Sequence, residues 1–248
     1  MKKTLRIAAF ILAAIFFAGT VLLQPSVSNA EEQTGEALSG FKKQGGYYYY
    51  YENGKPVKGW KKIGKYRYYF DKKGRMATGT KKIKGILRVF RTNGKWINTA
   101  SMDRKAAKKS SRTDYLVLVN INKKVTKVYQ GSKGNWKPVR SILCTVGDPT
   151  KGWDTVKGTF YVGRSSWGNP TTRGYSFEDS EGHTLYYWTR FCDDFLFHSQ
   201  LYENNSFVLT RENNALGKAL SHGCVRMRYQ DAKWIYYHVP DGSKVIVY

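Results

Sequence analysis

The chain has 248 residues, enough for one substantial core and a smaller module. Its 42 lysine and arginine residues against 18 acidic residues give a formal net charge of +24, which attracts polyanions. The odd count of three cysteines excludes complete disulfide pairing.

Residues 1–30 have the pattern of a secretory signal peptide. Lys2 and Lys3 precede an apolar run over residues 7–23, and small residues follow where cleavage needs them. The apolar run is somewhat long for this purpose, so an uncleaved membrane anchor is the alternative. In both cases we expect the rest of the chain to lie outside the membrane. The protein contacts the membrane only if this segment is retained.

Export changes what the positive charge indicates. Nucleic acid is the usual partner of a basic protein, but an exported protein rarely meets it, whereas a bacterial wall offers phosphate-bearing polymers and peptide carboxylates. We therefore expect a wall partner, no nucleic acid, and a secreted, extracytoplasmic location in the bacterial cell wall. The alternative is that the basic residues only keep the protein soluble.

Residues 40–100 repeat a unit of about 20 residues three times. Gly54, Gly74 and Gly94 recur at a spacing of 20 residues, and an aromatic residue stands four positions before each glycine. An aromatic strand that meets a turn such as Asn53-Gly54 is typical of a β-hairpin, because glycine adopts positive φ cheaply. One hairpin cannot bury its own aromatic face, so we expect the three to stack as a small solenoid.

These units resemble the glucan- and choline-binding wall repeats. The matching residues are Gly59-Trp60, Tyr68-Tyr69-Phe70, Gly74, and Met76 through Gly79. Thr80 and Ala100 depart from the pattern, because they stand at the positions equivalent to Trp60 of the second unit and remove aromatic rings from a choline cage. The resemblance implies attachment to anionic or glycan wall polymers. The alternative is that the tyrosines of this block only pack neighbouring hairpins.

A second, larger region follows the repeats. Residues 101–113 are small and basic without aromatic residues, so we interpret them as a linker with room for a short helical turn. Residues 114–248 read as a mainly β domain that folds and reacts alone, since few contacts should cross the linker. We predict a hairpin from strands 115–120 and 124–130, and a helix over Tyr229–His238. Further strands are predicted within 139–147, 158–166, 184–191, 194–200 and 243–248.

The stretch from Ser221 to Arg226 has the composition of a site. A hydroxyl, an imidazole, a thiol and a guanidinium crowd around Gly223, and such polar density is costly to bury. The arginines that follow Cys224 favour its anionic form, and His222 or an upstream histidine could accept its proton. A thiolate paired with imidazole is a nucleophile suited to acyl transfer, and the glycine lets backbone N–H groups face an oxyanion.

The other cysteines and histidines have simpler interpretations. Cys144 and Cys192 are favoured as small buried hydrophobic residues over a disulfide between them. His183 is most simply a turn residue, and His238 closes the predicted helix, where a cation suits the helix dipole. The sequence shows no metal-spaced cluster and no phosphate loop, so we expect no metal and no cofactor.

His198-Ser199 together with Ser221 through Arg226 resembles the signature of the L,D-transpeptidase family, whose members cross-link peptidoglycan. Residues 144–162 and 229–248 resemble that family's glycine-rich strand-turn-strand and its closing helix and strand. Val156 replaces a common proline, and the 22 residues between His198 and Ser221 form a long insert. The expected fold is a hairpin-repeat solenoid followed by a β-sandwich-like L,D-transpeptidase domain with a short helix.

The resemblance implies a role for each matching residue. Cys224 would be the nucleophile and His198 the general base and later acid. Ser199 would orient His198, and Arg226 would bind a substrate carboxylate. The residues that would shape the substrate and oxyanion pocket are Ser221, His222 and Gly223. The implied reaction releases the terminal D-alanine of a tetrapeptide stem and joins its third residue to an amine on a neighbouring stem.

Three other classes are compatible with parts of the sequence. A papain-like wall peptidase also uses cysteine and histidine, but its nucleophile precedes its base, whereas here His198 comes first. A hydrolytic relative of the same fold, an L,D-carboxypeptidase, shares the acyl-enzyme. A non-catalytic wall-binding protein explains the repeats and the charge but leaves residues 221–226 without a role.

Overall fold

The structure is a computed structural model. It describes residues 38–165, 168, 171–203, 206–210 and 216–248, so the predicted signal peptide lies outside the described residues. The described chain is mainly β, as predicted, with two short α-helices where one was expected. Within the described part, no helix has the length and apolar character needed to cross a membrane.

The repeats form three small antiparallel sheets. Their strands are β1 (Gly40–Gln44), β2 (Tyr47–Glu52) and β3 (Lys55–Pro56), then β4 (Gly59–Ile63) and β5 (Tyr66–Phe70), then β6 (Gly79–Ile83), β7 (Ile86–Phe90) and β8 (Trp96–Ile97). The predicted turn at Asn53-Gly54 joins β2 to β3, with φ values of 49° and 74° that suit a tight two-residue turn. The predicted hairpins are therefore confirmed, whereas their assembly into a solenoid stays a prediction.

Aromatic rings connect each repeat to the next. The rings of Tyr50 and Phe70 lie 6.4 Å apart between the first two units, and those of Trp60 and Phe90 lie 5.7 Å apart between the second and third. Phe70 and Phe90 are fully buried. The residues that recur four positions before each glycine thus supply the packing that a single hairpin lacks.

Two five-stranded sheets make up the larger region. The first has the order β11 (Lys137–Leu143), β10 (Val125–Gln130), β9 (Tyr115–Asn120), β20 (Lys244–Val247) and β13 (Gly158–Tyr161). The second has the order β14 (Arg173–Glu178), β15 (His183–Cys192), β16 (Phe195–Ser199) and β19 (Val225–Met227), with β17 (Tyr202–Glu203) paired to β15. A short pair, β12 (Val146–Gly147) with β18 (Ala219–Ser221), and a 3-10 helix (Pro149–Lys151) complete it.

One buried cluster joins these two sheets. Val117 of β9 shares it with Phe197 of β16 and Val225 of β19, and none of the three is exposed. The helix α2 (Tyr229–His238), found where it was predicted, adds its apolar face through Ala232 and Ile235. Because β16 and β19 are anchored on this core, the residues at their ends are held in a fixed frame.

The segment predicted as a linker contains a helix, α1 (Ala100–Ala107). Met102 and Ala106 lie one helical turn apart and are fully buried, in a cluster with Val89 of the third repeat and Leu116 of β9. The expectation that few contacts cross this segment is therefore wrong. The i, i+4 apolar pair is a weak signal in a basic stretch, but it is enough to seat the helix between the repeats and the larger domain.

The third repeat also contacts the larger domain directly. Thr80, which replaces the tryptophan of the second unit, donates a hydrogen bond from Oγ1 to the backbone oxygen of Ser141. Arg91 donates to the backbone oxygen of Gly217 over 3.5 Å. The departure of Thr80 from the repeat pattern thus falls at a contact between the two regions.

Candidate active site

Two neighbouring strands position the predicted site residues. β16 and β19 run parallel, with His198 opposite Arg226. Cross-strand neighbours in a sheet extend their side chains to the same face. Cys224 shares that face because it lies two residues before Arg226. All three side chains line one cavity of about 490 Å³. His198, Cys224 and Arg226, which are separated along the chain, therefore form a single cluster.

The turn that carries Cys224 is held by hydroxyl groups. Ser221 donates from Oγ to the backbone oxygen of Cys224 over 2.6 Å and accepts the Gly223 N–H over 3.2 Å. Thr155 donates from Oγ1 to the oxygen of Gly223 over 2.7 Å. Gly223 has a φ of 120°, and a Cβ there would lie 2.6 Å from a ring carbon of Phe195. The glycine is therefore required by both its conformation and the space beside it.

Burial dominates the acidity of the Cys224 thiol. It raises the pKa of the thiol above its ordinary value, although the nearby Arg226 and Arg190 guanidinium groups act in the opposite direction. The Sγ atom donates to the backbone oxygen of Asp194 over 3.4 Å. Desolvation thus works against the anionic form that the neighbouring arginines favour. A base is needed to generate the nucleophile.

His198 has the protonation state of such a base. Its side chain is 2% exposed, and burial together with the charge of Arg226 lowers its pKa to about 3. The imidazole is thus neutral at neutral pH and able to accept a proton. Its buried Nδ1 atom forms no hydrogen bond to the described residues. Cys224 and His198 therefore bring a protonated thiol and a neutral imidazole to the same cavity.

Arg226 supplies a buried cation on the same wall. It is 6% exposed, and burial lowers its pKa below the usual value, while the carboxylates of Asp179 and Glu181 act to raise it. An arginine keeps its charge under such shifts. A guanidinium in a partly closed cavity offers a forked partner for a carboxylate.

A family model described as the L,D-transpeptidase catalytic domain (YkuD) matches residues 114–247, more than half of the chain. The chain belongs to the L,D-transpeptidase family. A choline-binding repeat model matches residues 57–99, so this L,D-transpeptidase domain is preceded by repeats of that kind.

Individual relatives match over the same region. The protein YciB of Bacillus subtilis (strain 168), whose name assigns L,D-transpeptidase activity provisionally, is 32% identical over 134 residues, which are 53% of this chain. The match spans 65% of that relative's length.

Solved structures show weaker likenesses. One is a Clostridium acetobutylicum ATCC 824 protein titled as a fused Zn-dependent amidase/peptidase/peptidoglycan-binding domain-containing protein, with 28% identity, a TM-score of 0.46, and coverage of 60% of this chain and 59% of that chain. Another is an L,D-transpeptidase from Mycobacterium tuberculosis H37Rv, with 22% identity, a TM-score of 0.40, and coverage of 54% and 57%.

The remaining predicted residues of the L,D-transpeptidase site lie around the cluster in different ways. Ser199 is fully buried. Its hydroxyl accepts a hydrogen bond from the Tyr186 N–H over 2.8 Å and donates one to the backbone oxygen of Gln200 over 2.6 Å. It holds the strand next to His198 by these backbone contacts. His222 lines the cavity and packs against Trp153, with ring centroids 3.9 Å apart. The N–H of Gly223, a residue predicted to shape the oxyanion pocket, donates to Oγ of Ser221.

The L,D-transpeptidase cavity also contains residues that the sequence analysis missed. Arg190 of β15 is 6% exposed and lines the cavity, where its Nε donates to the Thr171 oxygen over 3.2 Å and it pairs with Asp194 at 3.3 Å. Arg190 is the only lysine or arginine of β15, a signal that marks it as unusual but does not place it at the cavity. Thr155 gave no such signal, since nothing in its spacing from Gly223 predicts their hydrogen bond.

The other cysteines are free thiols, consistent with the interpretation that disfavoured a disulfide. Burial raises the pKa of Cys144 to about 12, and burial with the neighbouring Asp193 raises that of Cys192 to about 11. Neither thiol lines the cavity that holds Cys224. Both are therefore poor nucleophiles at neutral pH.

His183 and His238 both lie outside the predicted catalytic pair. His183 follows a tight turn, and its Nδ1 lies 3.5 Å from Asp179 and 3.4 Å from Glu181. The ligand atoms of these three residues fall within 4.8 Å of one another, a grouping the sequence did not reveal. Glu181 is largely exposed, and exposed acidic groups near a histidine are common without a metal ion. His238 stacks on Trp234 at the end of α2.

Proposed function

We propose that the chain is an exported L,D-transpeptidase that cross-links peptidoglycan stem peptides through a thioester on Cys224, releasing the terminal D-alanine. The observation that carries this proposal is the shared cavity of Cys224, neutral His198 and buried Arg226. Acyl exchange between amides needs no nucleotide or metal, which suits an exported enzyme.

The first half-reaction forms the acyl-enzyme. Arg226 binds a carboxylate of the donor stem and places the carbonyl carbon of its third residue against Sγ of Cys224. As the sulfur attacks, its proton passes to His198. The carbon–nitrogen bond to the terminal D-alanine then breaks, and His198 returns the proton to the leaving amine. The raised pKa of the thiol and the low pKa of the imidazole disfavour a thiolate–imidazolium pair before attack, so the proton moves only as the sulfur attacks.

The second half-reaction transfers the acyl group. A side-chain amine of a neighbouring stem attacks the thioester carbon and gives a proton to His198. The carbon–sulfur bond breaks, an amide forms, and the proton returns to sulfur. Water in place of the amine would give a trimmed stem, which is the hydrolytic alternative.

The other matching residues act through the position of Cys224. Ser221 and Gly223 hold the turn on which the sulfur sits, and His222, which lines the cavity, packs against Trp153. Ser199 fixes the strand that carries His198. We assign these residues to positioning and substrate contact, with Cys224 and His198 as the reacting groups.

The remaining assignments concern the modules. We propose a signal peptide at residues 1–30, wall-binding repeats at 40–100 that stack as a solenoid, and a catalytic domain at 114–248. The repeats would hold the exported enzyme on anionic or glycan polymers of the wall. The aromatic contacts between successive units support the stacking.

Product analysis tests this function. The full chain is incubated with tetrapeptide muropeptides, and the products are separated by chromatography and identified by mass. We expect a cross-linked dimer with loss of D-alanine, and the same products from Cys192→Ser, the matched thiol control. Trimmed monomer without dimer would replace the transpeptidase by a hydrolase. Unchanged muropeptide would overturn both.

A further inference from the structure

We infer that the repeats bind a linear phosphodiester polymer of the wall through lysine side chains that recur once in every unit, and that they do not take a choline group. This deepens the wall-attachment part of the proposed function, and it is independent of the chemistry at Cys224.

The charge of the repeats favours a polyanion. Residues 40–100 contain seventeen lysine and arginine residues and only two acidic residues. Both acidic side chains are already paired, Glu52 with Lys61 at 2.7 Å and Asp71 with Arg75 at 2.7 Å. The surplus positive charge therefore has no acidic partner within this block. Such a surface attracts phosphate groups and repels a quaternary ammonium group.

The positive charge recurs with the repeat. Lys43, Lys62 and Lys82 occupy the fourth position of the first strand in successive hairpins, and all three are exposed. Each follows another lysine at the third position. A polymer with one negative charge per chemical unit can contact such a series at several points, which raises affinity without a deep pocket. We call Lys43, Lys62 and Lys82 the lysine series.

Several aromatic rings of the repeats already carry one of the protein's own cations over a face. The guanidinium of Arg67 lies 5.0 Å from the ring centroid of Trp60 and 5.5 Å from that of Trp96. Arg75 lies 4.9 Å from the ring of Tyr47, and Lys95 lies 3.7 Å from that of Tyr66. Because a cation–π site binds one cation at a face, a quaternary ammonium would have to displace these groups.

One cavity of the repeats leads to the same result. It has a volume of about 370 Å³ and aromatic walls that include Phe41, Tyr48 and Tyr68. Lys95 also lines it, and Lys43 lies 5.9 Å from the ring of Tyr48. A cationic ligand would therefore enter a cavity that already carries positive charge at its wall.

The test compares two triple variants of the full chain. Lys43→Gln, Lys62→Gln and Lys82→Gln together remove the lysine series. Lys133→Gln, Lys137→Gln and Lys157→Gln together remove the same charge from exposed positions of the catalytic domain. Binding to purified, labelled poly(glycerol phosphate) is measured by fluorescence anisotropy over a range of salt concentrations, and thermal unfolding checks that both variants are folded.

We expect the loss of the lysine series to flatten the salt dependence. The plot of log K against log salt has a negative slope. Each lost phosphate contact should make that slope less negative by about 0.7, so the loss of three contacts should change it by about 2. The catalytic-domain triple should keep the original slope. Choline should not compete, and a phosphate-free wall glycan should not bind.

Four results would overturn the inference. They are equal slopes for the two triple variants, displacement of the polymer by choline, salt-insensitive binding to the neutral glycan, and equally strong binding to anionic phospholipid vesicles. Acyl-enzyme formation on a soluble stem is measured in the same samples. If acylation fails while polymer binding follows the lysine series, the proposed catalysis is wrong and this inference stands.

Discussion

The repeats and the catalytic domain carry equal numbers of basic residues but use them differently. Residues 40–100 contain seventeen against two acidic residues, whereas residues 114–248 contain seventeen against twelve. In the repeats the lysines are mostly at the surface and largely unbalanced. In the catalytic domain Arg190 and Arg226 are 6% exposed and line the cavity of Cys224. The same residue types thus form an unbalanced positive surface in one region and line a partly closed cavity in the other.

The largest expected effect is on the rate of acylation, which depends on the catalytic domain and not on the repeats. His198→Ala should slow acylation of Cys224 by about 100-fold to 10,000-fold, because the cavity loses its neutral proton acceptor. His238→Ala, which removes an imidazole from the end of α2, should leave the rate nearly unchanged. Stopped incubation with muropeptide followed by intact-protein mass spectrometry gives both rates. Equal rates for His198→Ala and the unaltered chain would remove the imidazole from the mechanism.

A second variant tests whether the two regions are mechanically separate. Met102→Ala should lower the free energy of unfolding by about 2–5 kcal/mol, since it empties a fully buried position between the third repeat and β9. Arg104→Ala, on the exposed side of the same helix, should change it by less than about 0.5 kcal/mol. Calorimetry of the full chain measures both. A stability unchanged by Met102→Ala would restore the interpretation of this segment as a free linker.

The smallest expected difference compares one glycine from each region. Gly54→Ala places a side chain at a φ of 74° with open space around it, so only backbone strain of about 1 kcal/mol is expected. Gly223→Ala adds a clash with Phe195 and should cost about 1–3 kcal/mol more, with loss of acylation as the turn of Cys224 shifts. Chemical denaturation and the acylation assay read these effects. Equal costs would mean that the turn at Cys224 tolerates a side chain.

Sequence patterns predicted most elements that repeat or alternate. The hairpin of β9 and β10, the repeat hairpins and α2 follow from β-branched alternation, glycine spacing and helical spacing. The density of polar groups and the family signature predict the cysteine, histidine and arginine of the site, and the structure places all three on one cavity. α1 was underestimated because two apolar residues in a basic stretch give a weak pattern, although tertiary packing seats them well.

Other features needed three-dimensional contacts. Arg190 lies in β15, far along the chain from residues 221–226, so only the pairing of strands brings it to the cavity. The raised pKa of Cys224 depends on burial, whereas the neighbouring arginines in the sequence predict a lowered pKa. Thr80 also needed the structure, because only its hydrogen bond to the backbone oxygen of Ser141 explains why it departs from the repeat pattern.

The central claim is that Cys224, among three free thiols, is the residue that carries the acyl group. The direct measurement is peptide-level mass spectrometry after incubation of the full chain with a tetrapeptide muropeptide. We predict an adduct on the peptide that contains Cys224, lost in Cys224→Ser and retained in Cys192→Ser. An adduct on Cys144 or Cys192 with Cys224 unmodified would contradict the account.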